Sequence, residues 1–220
     1  YSLISYHAGS GTIDIIALYP RLYIEGDGKS GTVEDIFNKH GAKGLMPVLN
    51  ASLGISCTNY TVLDKSVFID LFTSLGNVTL GIPQRISYTN SDLGFSFSAE
   101  AGEKLFSSSS LYDYFLYSSL NGDSAGLTDI AAAIMETINQ NIANMDLSSI
   151  QYNFNRLRDN TTNNFDKDDF KNRKEAINET LDTASAPAAY YVPYGKLNEE
   201  GKFLLSDGSL ISIQQRMDNS

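Results

Sequence analysis

The chain has a single cysteine, Cys57, no tryptophan and only two histidines, His7 and His40. One cysteine excludes an intrachain disulfide and any Cys-based metal site. Set in the apolar stretch 53–62, it reads as a small buried hydrophobe rather than a nucleophile. Neither histidine accompanies a Gly-x-Ser-x-Gly nucleophile pattern, and without a neighbouring histidine pair the usual zinc spacings are excluded. His7 is placed in a turn and His40 at a helix end beside Gly41, where a cation meets the helix dipole favourably. Basic residues are scarce as well: 16 Lys and Arg stand against 26 Asp and Glu, a net charge of −10. With no Lys/Arg run, a nucleic acid partner is excluded, because phosphate neutralisation needs clustered cations. There is no apolar run of about eighteen residues and no signal peptide. The chain begins at Tyr1 rather than Met, inside a strand-like run, so a further N-terminal segment is expected to precede it.

What is present is core material: 42% of residues are hydrophobic and 19% charged, enough for a packed interior. Residues 1–6 and 12–19 are β-rich runs joined through Gly9 and Gly11, which reads as a hairpin. The second run is nearly continuous in apolar residues, as in a strand covered on both faces, and Pro20 ends it. A glycine-rich loop (Gly26, Gly28, Gly31) leads to helices over 32–40, closed by Gly41, and 44–53, closed by Gly54. A strand follows at 58–63. Phe68, Leu71, Phe72 and Leu75 fall at i, i+3, i+4 and i+7 and predict a helix over 65–75, ahead of a strand at 78–82. Irregular β structure is expected over 84–98 and a helix over 103–120, interrupted by serines at 107–110. A long helix over 127–145 carries the stripe Ile130, Ile134, Ile138, Ile142. Helices near 148–158 and 166–183 come next, and then a tail with short β runs at 190–192 and 203–205 and a fraying end. The alternation argues for an α/β fold, with a mixed sheet because two of its strands form a hairpin.

Some motif-like strings have plainer readings. Gly26, Gly28 and Gly31 spell Gly-x-Gly-x-x-Gly, but no strand runs straight into the glycine turn as a dinucleotide fingerprint requires, so the string reads as a loop. Asp166, Asp168 and Asp169 lack the central glycine and closing glutamate of a calcium loop and read as helix-capping acids. Pro20-Arg21 differs. An arginine directly after a buried strand stands where open α/β sheets bind ligands. Its guanidinium suits a phosphate or a structural salt bridge, and the residues alone leave both open.

Read in order, several strings resemble the LytR–CpsA–Psr domain, also described as the cell envelope-related transcriptional attenuator domain. "GTIDIIALYPRLYI" is similar to its strand ending in Pro-Arg-Asp, and "VEDIFNKHGAKGL" to the helix that follows. "LGISCTNYTVLD", "VFIDLFTSLGNVTLGIP" and "FSAEAGEKL" resemble the next elements in their expected order. The resemblance covers roughly residues 1–145. It implies a central mixed sheet flanked by helices on both faces: an α/β domain over 1–145 lacking its N-terminal part, with residues 146–220 as a helical and short-β extension packed on the same domain. It also implies an extracytoplasmic domain on a membrane anchor that precedes Tyr1. Such a domain transfers glycopolymers from polyprenyl pyrophosphate carriers to the cell wall. Arginines grip the pyrophosphate, acids help hold a magnesium ion, and an apolar tunnel takes the lipid.

Carried over position by position, the resemblance assigns phosphate binding to Arg21, although Leu22 stands where the acid belongs. Another expected arginine falls near Leu116. "GDSAGLTDI" keeps Asp123, but Gly126, Asp129 and Ile130 occupy the places of Arg, Arg and Gln. Losing several charge-assisted contacts, each worth roughly 1.5–3 kcal/mol, cripples transfer chemistry of this type. The expectation is a divergent binder of a polyprenyl (pyro)phosphate-type ligand with weak or lost phosphotransferase activity. In it Lys29, Lys39 or Arg85 serve as substitute cations, and magnesium is required only if the chain is active. The alternative is a non-enzymatic cell-surface interaction or scaffold module.

Overall fold

The computed structural model describes residues 1–7, 12–121, 123–141, 146–183 and 188–218. Strands β1 (Ser2–His7) and β2 (Thr12–Ala17) form the expected antiparallel hairpin, with Leu3 opposite Ile16 and Ser5 opposite Asp14. The connecting glycines, Gly9 and Gly11, lie outside the described residues. His7 is not in a turn. It ends β1 on the inward face with Leu3 and Ser5, and all three are buried. The glycine string beyond is no loop either, since β3 (Tyr23–Gly26) and β4 (Lys29–Thr32) pair antiparallel across Asp27-Gly28. Both turn residues have positive φ, 51° and 69°. That is the type I′ geometry for which Asp-Gly is favoured.

Thr32 then starts α1 (Val33–Leu53) with a capping box: its Oγ1 accepts from the Asp35 N–H at 3.1 Å, and its own N–H donates to Asp35 Oδ2 at 3.3 Å. The two helices predicted over 32–40 and 44–53 meet in this element at Gly41, whose backbone is non-helical (φ 63°, ψ −176°). The strand expected over 58–63 shortens to β5 (Thr61–Val62). Asp64 caps α2 (Lys65–Leu75), and β6 (Val78–Ile82) follows, both with the predicted bounds. Residues 84–98 contain a regular hairpin, β7 (Ile86–Asn90) with β8 (Phe95–Ala99).

The helix predicted over 103–120 is corrected. β9 (Gly102–Phe106) pairs with β6, and α3 (Ser108–Leu120) begins only after Ser107, whose Oγ accepts from the Ser110 N–H at 3.3 Å. The serines start the helix rather than weaken it, because their hydroxyls satisfy orphan N–H groups. In α4 (Ser124–Asn141) Ile130 is buried and Ile134 and Ile138 are half-buried, while Ile142 lies outside the described residues. α5 (Leu147–Asn160) is capped by Asp146, and β10 (Thr162–Asn163) pairs with β5. The helix expected over 166–183 breaks at Arg173 into α6 (Asp169–Asn172) and α7 (Lys174–Thr183). β11 (Ala188–Tyr191) joins β2 in parallel, giving a mixed sheet in the order β1-β2-β11. After the hairpin of β12 (Gly195–Leu197) and β13 (Phe203–Leu205), the part of the tail expected to fray forms α8 (Asp207–Asp218) as far as it is described. Leu210, Ile213 and Met217 line its inner side and Ile213 is fully buried.

The fold is mixed α/β, as predicted. It divides into two compact units, Tyr1–Val62 with Asp146–Ser220 and Leu63–Met145, each with its own core. In the first unit Ile16, Leu18, Leu22 and Ile24 pack with Val33, Val48, Leu49, Leu53 and Ile213. Cys57 is half-buried against this core, and burial pushes its thiol pKa up, as befits the packing role read from its surroundings. The second core is aromatic: Phe97, Phe106, Tyr114 and Tyr117 lie in stacked pairs 5.5–6.2 Å apart. Among the described residues no helix is long and apolar enough to cross a membrane.

Candidate functional site

Arg21 leaves the first unit between core anchors, with Leu18 before it and Leu22 and Ile24 after it, all buried. A tight turn closes on the Leu22 N–H donating to the Tyr19 carbonyl at 3.0 Å. On either side of Arg21, the Pro20 carbonyl accepts from the Glu34 N–H at 3.0 Å and the Leu22 carbonyl from the Val33 N–H at 2.9 Å. The Arg21 carbonyl itself accepts from the Phe203 N–H at 2.8 Å, within an isolated parallel bridge between Leu22 and Phe203. The backbone is thus held on all sides while the side chain is exposed. Among the described residues Arg21 has no carboxylate partner, so the salt-bridge reading left open by the sequence does not apply to it.

The surroundings are aromatic. Tyr19 packs on Phe203 with ring centroids 4.4 Å apart. Burial raises the Tyr19 hydroxyl pKa, and the neighbouring Tyr194 raises it further; Tyr190 is raised by burial and then by Tyr19. Tyr194 is 75% exposed, but its backbone is fixed, its N–H donating to Ser209 Oγ at 2.7 Å and its carbonyl accepting from the Ser206 N–H at 3.0 Å. Lys202 lies over the Tyr23 ring at 4.8 Å and pairs with Glu200 at 2.6 Å. The contributions of Tyr190, Tyr194, Lys202 and Phe203 were not legible, because they stand far from Arg21 in the sequence and no local pattern links the two stretches. The signal that existed was weaker: a tyrosine-rich stretch, Tyr190, Tyr191 and Tyr194, followed by a lysine-bearing hairpin.

The other nominated residues are placed as follows. Lys29 belongs to the first unit, at the β3–β4 turn, where its ammonium pairs with Asp27 at 2.7 Å. Lys39 is exposed on α1. Arg85 and Asp123 belong to the second unit. Arg85 pairs with Glu100 at 3.2 Å, both exposed. Asp123 stands just before α4, its Oδ1 accepting from the Gly126 N–H at 2.9 Å. Gly126 is packed tightly: a Cβ there would fall inside contact distance of Asp123 Oδ2 and 2.8 Å from Ser118 Oγ. A side chain at the place where the resemblance puts an arginine would have to displace the Asp123 carboxylate and the Ser118 hydroxyl. The capping reading of the aspartates at 166–169 does not hold for Asp168, which stands at the N-cap of α6 without a side-chain cap bond, while Asp169 accepts from the Asp166 N–H at 2.6 Å and pairs with Arg173 at 2.9 Å.

Magnesium was implied only by resemblance. Among the described residues no three His, Cys, Asp or Glu side chains gather to hold a metal, and Asp123 is committed to its cap. Among the described residues the side chains present do not fit that ion.

His7 contributes no accessible base. Its Nε2 meets Asp14 Oδ2 at 2.9 Å, and because a carboxylate only accepts, the ring donates there. Its Nδ1 is buried without a partner among the described residues. The other oxygen of Asp14 takes the Arg216 guanidinium from α8, which lies over the Tyr191 ring at 4.8 Å. This polar cluster joins the sheet to the last helix. The site around Arg21 can hold an anion, and the described residues set no nucleophile–base pair beside it.

No protein-family model matches the chain, and no curated protein matches it. Solved structures do. A protein from Eubacterium siraeum described as a transcription regulator superposes with a TM-score of 0.80 at 24% identity, over 99% of this chain and 84% of its own. The LytR-Csp2A-Psr enzyme from Actinomyces oris gives 0.72 at 14% identity, over 98% and 84%. TagT bound to LI-WTA gives 0.65 at 12% identity, over 99% and 82%. At these identities the likeness is one of fold: the chain has the LytR–CpsA–Psr-like fold that its sequence resembled.

Proposed function

We propose that this chain serves cell-wall glycopolymer attachment outside the cytoplasmic membrane, binding a polyprenyl (pyro)phosphate-type ligand through Arg21 with weak or lost phosphotransferase activity. The observation that carries the reading is Arg21: an exposed side chain without a carboxylate partner among the described residues, on a backbone fixed at both sides, in the turn between β2 and β3 of this fold. A guanidinium offers paired N–H donors to phosphate oxygens. Support for the ligand class comes from the fold shared with TagT bound to LI-WTA. Support for weakened transfer comes from Gly126, Asp129 and Ile130 standing where cations and an amide are expected. The anchor and the extracytoplasmic location belong to the same proposal.

Mass spectrometry of lipid extracted from the purified chain tests the ligand. A prenyl phosphate or pyrophosphate retained by the wild type and absent from Arg21→Ala is expected; equal retention by both overturns the assignment. Release of phosphate from a prenyl pyrophosphate, measured with and without Mg²⁺, tests the activity. Turnover at an ordinary enzymatic rate, on the order of 1–10³ per second, would overturn the claim of weakened transfer.

A further inference from the structure

The cations nominated from the sequence as helpers for Arg21 are Lys29, Lys39 and Arg85; the fold sets a different one beside it. In the parallel bridge between Leu22 and Phe203, the residues just before each partner are Arg21 and Lys202, so their backbones run side by side. The Phe203 N–H donating to the Arg21 carbonyl at 2.8 Å fixes that register. Tyr23 opens β3 two residues after Arg21, and Lys202 Nζ sits over its ring at 4.8 Å. The Arg21 guanidinium reaches over the same turn, where a Cβ on Gly201 would lie 3.9 Å from its Nη1. That turn is rigid. Asn198 Oδ1 accepts from the Glu200 and Lys202 N–H groups at 3.0 and 2.9 Å, and the Asn198 N–H donates to the Lys202 carbonyl at 2.9 Å.

We infer that Lys202 is the second cation of the Arg21 site, that the pair grips a diphosphate, and that Glu200 holds Lys202 in reserve until the ligand displaces it. This rests on the reading of Arg21 as the phosphate-binding residue. A diphosphate carries charge enough for both cations, and two charge-assisted contacts from adjacent residues suit its two phosphoryl groups. Glu200 is the natural competitor. Its carboxylate is 2.6 Å from Lys202 Nζ, and at 68% side-chain exposure it can turn into solvent when an anion with more charge arrives. Asp35 also bears on Lys202 but is committed to Thr32, whose Oγ1–H donates to it at 2.6 Å.

The test is calorimetric titration of the full chain with inorganic pyrophosphate and, separately, farnesyl pyrophosphate. Lys202→Ala is expected to weaken both by roughly tenfold, and Lys202→Arg to restore most of the loss. Glu200→Gln is expected to tighten both by about two- to fivefold, the worth of an exposed ion pair; a purely structural role for the turn would not produce that gain. Whichever probe binds the wild type more tightly identifies free or lipid-linked diphosphate as the source. If Arg21→Ala abolishes binding while Lys202→Ala and Glu200→Gln leave it unchanged, the inference about Lys202 fails and the reading of Arg21 stands. An effect of Lys202→Ala confined to farnesyl pyrophosphate would place Lys202 on the prenyl chain and also overturn it. No binding of either probe by the wild type overturns both.

Discussion

Asp14→Ala is expected to destabilise the first unit by roughly 1.5–4 kcal/mol. The carboxylate is 15% exposed and accepts from two elements, His7 on β1 at 2.9 Å and Arg216 on α8. Its removal leaves the His7 ring, whose side chain is 8% exposed, without a partner among the described residues at either nitrogen, because Nδ1 already has none. An unsatisfied buried polar group costs about 1–3 kcal/mol. Arg216 is 36% exposed and stacked on Tyr191, so water replaces the carboxylate there and its share falls to about 0.5–1 kcal/mol. Asp14→Asn keeps the shape and one acceptor and should lose about half as much as Asp14→Ala. Urea unfolding followed by circular dichroism, with unchanged denaturant slope, measures each value. The ordering is the sharper check: in double-mutant cycles the Asp14–His7 coupling should exceed the Asp14–Arg216 coupling. An Asp14→Ala protein within about 0.5 kcal/mol of wild type, or the reverse ordering, would refute the assignment of the cost to the buried histidine.

Gly126→Ala should destabilise the second unit by about 1 kcal/mol, although glycine to alanine inside a helix ordinarily stabilises by a similar amount. The new Cβ meets Asp123 and Ser118, so a stabilised variant in urea unfolding would contradict the close packing. Ile213→Ala, at a fully buried position of α8, should cost roughly 2–4 kcal/mol, and a loss below about 1 kcal/mol would deny that α8 is part of the core. The carboxyls of Asp64 and Asp146 are held below the ordinary range by the Val67 and Ser149 N–H groups, and that of Asp35 by the Thr32 hydroxyl. Their folded forms take up protons less readily than the unfolded chain. The stability they give is therefore complete above the unfolded pKa near 4 and drains away as pH falls through the lower folded values. Urea midpoints between about pH 6 and pH 2 should fall less steeply for Asp146→Asn than for wild type; a steeper fall would have the wrong sign.

How far the sequence could be read depended on how local the deciding physics is. The α2 helix and the β6 strand came out with their observed bounds, because an unbroken apolar period, a terminating glycine and a terminating proline all act within a few residues. The β3–β4 hairpin was equally local. Asp27-Gly28 is a strong turn signal, although the three glycines spaced around it read as a plain loop. Ser107 was discounted as a helix breaker although a serine just before a helix is a cap. The α8 helix carries Leu210, Ile213 and Met217 at helical spacing, and its polar composition hid that stripe. Arg21 was legible because proline, strand end and arginine are adjacent. Lys202 was not, since only the bridge between Leu22 and Phe203 brings it near, and His7 looked turn-like because its partner, Asp14, comes from the next strand.

The most direct measurement is calorimetric titration of inorganic pyrophosphate into wild type and Arg21→Ala, each checked by thermal unfolding. Arg21 makes no ion pair among the described residues and its side chain is exposed, so the two proteins should unfold at nearly the same temperature. The wild type should bind, and Arg21→Ala should bind at least tenfold more weakly. Equal affinity in two equally stable proteins would contradict Arg21 as the phosphate-binding residue, and with it the proposed function.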